Sequence, residues 1–83
     1  MYRILITAQA RKDLKKIKEK YQRAIIEVLA ELQENPRSGK PLTRELTGKF
    51  SYRVGVYRVI YTINDLDKTI HILTAGHRSY VYN

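Results

Sequence analysis

The segment Tyr52-Arg53-Val54-Gly55-Val56-Tyr57-Arg58-Val59-Ile60-Tyr61 constrains this chain more than any other. Strong strand formers flank a single glycine, which predicts two antiparallel strands meeting at a two-residue turn over Gly55-Val56. Glycine in the first loop position suits a type II′ turn, whose twist matches that of the strands it joins. That register sets Val54 opposite Tyr57 and Arg53 opposite Arg58. Two arginines then face each other on one side of the sheet, where like charges are destabilising. A polyanion relieves that repulsion, so the hairpin is a candidate nucleic-acid contact.

Charge elsewhere agrees. The 83 residues carry 16 Lys and Arg against 8 Asp and Glu, a net +8. The excess is uneven: residues 1–23 are strongly basic, 24–35 are acidic (Glu27, Glu31, Glu34), and 36–63 are basic again across the hairpin. Such a balance favours polyanions and speeds their capture. A length of 83 residues predicts one small domain over 1–83, and 43% hydrophobic residues argues against disorder. With no cysteine, disulfides, a thiolate nucleophile and a cysteine-based zinc site are excluded. No apolar run approaches the roughly 20 residues that span a bilayer. The N-terminus reads as a strand rather than a secretory apolar region, so a cytoplasmic protein with no membrane role is expected.

Tyr2 to Ile6 alternates and is β-branched, which predicts a first strand. Thr7 is placed to cap the helix that follows. Ala10, Leu14, Ile17 and Tyr21, then Ile25, Val28, Leu29 and Leu32, form an apolar stripe at helical spacing that must stop at Asn35-Pro36. This stripe reads as core packing. A helical hairpin or one kinked helix is expected over 8–34, broken around Glu19-Lys20-Tyr21. The polar face of the first helix carries Arg11, Lys12, Lys15, Lys16 and Lys18, either a solvated surface or an accessory phosphate-binding ridge. Residues 35–49 form a turn-rich connector holding both prolines, with Leu42 and Leu46 expected to pin it to the core. Strands are predicted at about 50–54, 57–63 and 69–75, with a short edge strand in 79–83. The order β-α-α-β-β-β predicts an α+β fold: a mostly antiparallel twisted sheet with the helices packed on one face.

Alternation sorts that sheet. Phe50, Tyr52, Val54, Tyr57, Val59, Tyr61 and Ile63 should share the face under the helices, while Lys49, Ser51, Arg53, Arg58, Ile60 and Thr62 share the helix-free face. Two histidines without a carboxylate cluster do not make a metal site, and no cofactor motif is present. Asp65 and Asp67 read as turn residues, and mid-strand His71 as structural or surface.

Taken together, Ala10-Arg11-Lys12-Asp13-Leu14-Lys15-Lys16-Ile17, the helix end at Asn35-Pro36, Leu42-x3-Leu46-x-Gly48, the Arg53–Tyr61 hairpin and Gly76-His77-Arg78 resemble the RelE/ParE toxin superfamily over nearly the whole chain. These are the toxic halves of toxin–antitoxin pairs. The nearest likeness is to the RelE branch, whose members cut mRNA in the ribosomal A site.

The resemblance implies roles residue by residue. Arg58 matches the hairpin arginine that holds the scissile phosphate, and Arg78 the arginine that stabilises the developing charge. Tyr82 resembles the C-terminal tyrosine that stacks on or orients a base, with Tyr80 as the alternative. RelE-like nucleases often carry two basic residues at alternate positions before the turn: Arg53 matches the nearer, the other falls on Ser51, and Lys49 lies two further back on the same face. RNA supplies its own nucleophile, the 2′-hydroxyl, so cleavage needs alignment, charge neutralisation and proton transfer. Arg53, Arg58 and Arg78 suit the second task, because guanidinium binds phosphate oxygens bidentately. His77 is the candidate acid or base, since imidazole titrates near 6.5; it can equally serve by bonding the backbone. Arg11, Lys15 and the tyrosines Tyr80 and Tyr82 complete the expected RNA contacts.

The function implied first is therefore a metal-independent mRNA endoribonuclease, acting on ribosome-bound message and restrained by an acidic RelB-like antitoxin in a heteromeric complex. The alternatives are a ParE-like inhibitor of DNA gyrase that cleaves nothing, and an inactive toxin-derived protein that retains only antitoxin binding.

Overall fold

The computed structural model describes residues 1–77. Arg78, Tyr80, Tyr82 and the edge strand expected in 79–83 lie outside the described residues. Within them run β1 (Arg3–Ile6), α1 (Ala8–Lys15), α2 (Glu19–Glu34), β2 (Lys40–Pro41), β3 (Lys49–Val54), β4 (Tyr57–Asn64) and β5 (Thr69–His77). Single 3₁₀ turns occupy Pro36–Ser38 and Arg44–Leu46.

Thr7 caps α1 as its position suggested. Its hydroxyl accepts from the Ala10 N–H at 3.1 Å and donates to the Leu73 carbonyl at 2.9 Å, so one side chain starts the helix and ties it to β5. The helices separate at Lys16–Lys18, slightly before the expected Glu19-Lys20-Tyr21. Tertiary contacts decide that point. Ile17 turns inward to 6% exposure, and the Leu14 carbonyl at the end of α1 accepts both the Ile17 N–H at 3.1 Å and the Gln22 amide at 2.6 Å.

The sheet order is β1-β5-β4-β3-β2, with β1 parallel to β5 and the remaining neighbours antiparallel. Leu73 is an extra residue in β5, because Ile60 pairs with Thr74 and Tyr61 with Ile72. Such a bulge bends the strand locally. Here it falls where Thr7 grips the backbone at Ile72 and Leu73.

Ala10, Ile17, Ile25, Leu29 and Leu32 from the helices bury against Val59, Tyr61, Ile70, Ile72 and Ala75 from the sheet. Each fully buried Ile, Leu or Val among them stabilises by about 1.5–3 kcal/mol. Phe50, Tyr52, Val54, Tyr57 and Ile63 pack around that cluster, as alternation placed them.

Two expectations change. Leu42 and Leu46 are half-buried but are not part of the core cluster. Asp65 does not stabilise its own turn; the Asn64 carboxamide does, accepting from the N–H groups of Leu66 and Asp67. Asp65 instead receives the Tyr2 hydroxyl at 2.6 Å and the Arg37 guanidinium at 2.7 and 3.3 Å, joining the N-terminus, the connector and the β4–β5 turn.

Candidate nucleic-acid interface

Gly55 opens the hairpin turn at φ 62°, while Val56 stays at negative φ, the pattern a type II′ turn requires. The resulting register is Val54↔Tyr57, Arg53↔Arg58, Tyr52↔Val59. The Tyr21 ring of α2 lies beneath the turn, where a Cβ added at Gly55 would come within 3.3 Å of it. Directly opposed residues place their Cβ atoms about 4.5–5.5 Å apart. Arg53 and Arg58 therefore form a fixed cationic pair on the face turned away from α1 and α2, hereafter the far face. Arg53 is exposed and Arg58 half-buried. On the other flank of Arg58 stands Gly76 of β5, which contributes no side chain to the row.

Beside this pair runs a groove of about 680 Å³. One wall is the connector from Ser38 to Thr43 together with Leu46; the other is β3 from Ser51 to Arg53, with Arg58. β2 supplies the join, because Lys40 pairs with Ser51 and Pro41 with Phe50. The connector's position is set from the core. Tyr61 donates its hydroxyl to the Pro36 carbonyl at 2.7 Å and accepts from the Gly39 N–H at 3.0 Å.

The expected site residues divide. Arg53 and Arg58 come together. Ser51 lies in the same groove but is only 8% exposed, so the far face is not open along its length; Ile60 is likewise buried there at 6%. Lys49 is half-buried one row further on, opposite Thr62, which in turn pairs with His71. His77 is not placed with Arg53 and Arg58. It pairs with Tyr57, and their rings meet edge-on at 6.2 Å, while Tyr57 itself packs on Tyr21 of α2 at 5.0 Å. His77 thus sits on the helical side of the sheet. Arg11 and Lys15 are exposed on α1, in the helical layer rather than on the far face. Arg78, Tyr80 and Tyr82 fall outside the described residues. Among the described residues, no group of three or more His, Cys, Asp or Glu is placed to hold a metal ion. No helix among them is long and apolar enough to cross a membrane.

The groove wall is what reading the sequence missed. Its available signal was the Leu42-x3-Leu46 pair inside a proline- and glycine-bearing connector, which reads equally as core anchoring.

The chain matches, over residues 4–82, the family described as ParE toxin of type II toxin–antitoxin system, parDE. It is 42% identical over 83 residues to Toxin RelG of Mycobacterium tuberculosis, covering 98% of this chain and 95% of that one. Toxin RelE of the same organism is also 42% identical, at 98% and 86% coverage. Among solved structures, the toxin–antitoxin complex RelBE2 of M. tuberculosis superposes with a TM-score of 0.85 at 43% identity, covering 93% of this chain and 98% of its counterpart.

Proposed function

The chain belongs to the ParE toxin family of type II toxin–antitoxin systems, and from that premise we propose that it is a RelE-like endoribonuclease of the cytoplasm. It cleaves mRNA in the ribosomal A site and is held inactive by an acidic, RelB-like antitoxin. Its 42% identity to proteins named RelG and RelE supports that branch. The observation that carries the reading is the opposed Arg53–Arg58 pair beside a groove on the far face.

In this reading the phosphodiester lies across the two guanidinium groups. The ribose 2′-oxygen attacks phosphorus and loses its proton, the bond from phosphorus to the 5′-oxygen breaks, and that oxygen takes up a proton. The products are a 2′,3′-cyclic phosphate and a 5′-hydroxyl. Charge on the non-bridging oxygens grows in the transition state, where preorganised guanidinium groups stabilise it most. Arg78 and Tyr82 complete the clamp and orient a base. His77, with its ring against Tyr57, orders the strand end that leads into Arg78.

The family description favours one competing reading, a ParE-like inhibitor that binds DNA gyrase without cutting nucleic acid. Brief induction in cells, with message ends mapped by primer extension, separates the two. Translation-dependent cleavage that disappears in Arg58→Ala, with the folded protein still present, is the expected result. DNA breaks and an SOS response without new message ends would replace this reading with the gyrase one.

A further inference from the structure

We propose that the groove between the connector and β3 is a nucleobase subsite, taking the base of a nucleotide whose phosphate rests on Arg53 and Arg58. The proposal rests on the ribonuclease reading above and adds to it a source of sequence preference. Three properties of the groove support it.

The first is its chemistry. Pro41, Leu42 and Leu46 give it an apolar wall, while Thr43 and Ser51 bring hydroxyl groups to the same space. A base has apolar faces and polar edges, so it can lie on such a wall and hydrogen-bond at its rim. A partner helix would instead need an apolar strip continuing over several turns. Here the apolar surface is bounded by the cations Lys40, Arg53 and Arg58, which suits a ligand that carries phosphate next to its flat part.

The second is size. A volume of about 680 Å³ falls within the roughly 300–1,000 Å³ of sites that enclose small ligands. The third is preorganisation. Tyr61 holds Pro36 and Gly39, and Asp65 holds Arg37, so the wall is anchored on both sides of its first turn. A wall already in place loses little conformational freedom when it is occupied.

The test compares the parent with Leu42→Ala/Leu46→Ala and, separately, Thr43→Trp, in cells without antitoxin, by mapping message ends genome-wide. Thr43 is exposed, so its replacement fills the groove without disturbing the core. The parent should show a base preference at one position flanking the cut. Both variants should lose that preference, with cleavage at favoured sites falling about tenfold, the scale of one stacked base. If either variant, folded and expressed, keeps the parent's preference and rate, the subsite is refuted while the ribonuclease reading stands. If the variants cut like the parent but lose antitoxin affinity, the groove is a protein-docking surface and the proposal fails. A parent that cuts no message overturns both readings.

Discussion

The phenol of Tyr61 and the backbone of Gly39 join the hydrophobic core to the wall of the groove. Tyr61 is fully buried, yet its hydroxyl reaches the connector, accepting from the Gly39 N–H at 3.0 Å while donating to the Pro36 carbonyl. Burial raises the pKa of this phenol, with the Gly39 N–H opposing the rise. A side chain at position 39 would collide with that hydroxyl and come within 2.9 Å of the Ser51 carbonyl. The glycine is needed for room, not for an unusual backbone angle, since its φ of −78° is open to any residue.

Tyr61→Phe keeps the ring and removes both hydrogen bonds. Stranding the two backbone groups should cost about 1–3 kcal/mol. Gly39→Ala should cost a similar about 1–3 kcal/mol, through overpacking against Tyr61 and the Ser51 backbone. Urea denaturation reads both as a lower midpoint at unchanged slope. A midpoint equal to the parent's for both variants would show that the wall is not held from the core.

Arg53 and Arg58 oppose each other across the hairpin, so the site is expected to reduce stability in the unbound toxin. Arg53→Gln should stabilise the free protein by about 0.2–1 kcal/mol at low salt. The gain should shrink as salt screens the pair. RNA affinity should fall in the same variant. Thermal melts at two ionic strengths, paired with an RNA-binding assay, check the opposed signs.

The Asp65 carboxyl is lowered to about 2, first by its hydrogen bond from Arg37 and then by that from Tyr2. A depressed carboxyl contributes stability that is complete above its unfolded value and is lost as pH falls through the folded one. The window therefore runs downward from about 4. The denaturation midpoints of the parent and Asp65→Asn should differ at neutral pH and converge near the acid end of that window. A gap independent of pH would rule out the ionised carboxylate as the cause.

Asp13 reaches from α1 to accept the Ala75 N–H at 3.1 Å, on the stretch of β5 that extends beyond its pairing with β1. Asp13→Ala leaves this buried donor without its acceptor, at a cost of about 1–3 kcal/mol. Hydrogen exchange at Ala75 should accelerate more than at Ile70, where β1 still pairs. Asp13→Asn, which keeps an acceptor oxygen, should restore part of the protection.

Much of the fold was legible from local pattern. Alternation in 49–63 separated Tyr57, Val59 and Tyr61 from Arg53 and Arg58, and Gly55 located the turn. Thr7 was readable as a cap because capping is a matter of a few neighbouring residues. The break between the helices was less so, since nothing in Lys16-Ile17-Lys18 is a helix breaker; Gln22 and the burial of Ile17 decide it. The role assigned to His77 was the harder kind of reading. Its neighbours in sequence are Gly76 and Arg78, but alternation in a bulged strand turns it toward Tyr57.

Local pattern was enough for the order of the main elements, the two faces of the hairpin and the cationic pair, because periodicity and turn chemistry act over a few residues. The connector becomes a strand-bearing groove wall beside that pair through long-range contacts alone. The bonds that hold it link Tyr61 to Pro36 and Gly39, and Arg37 to Asp65, across 22 to 28 positions of chain. No local propensity specifies such contacts; they form only once the sheet has brought their partners within reach.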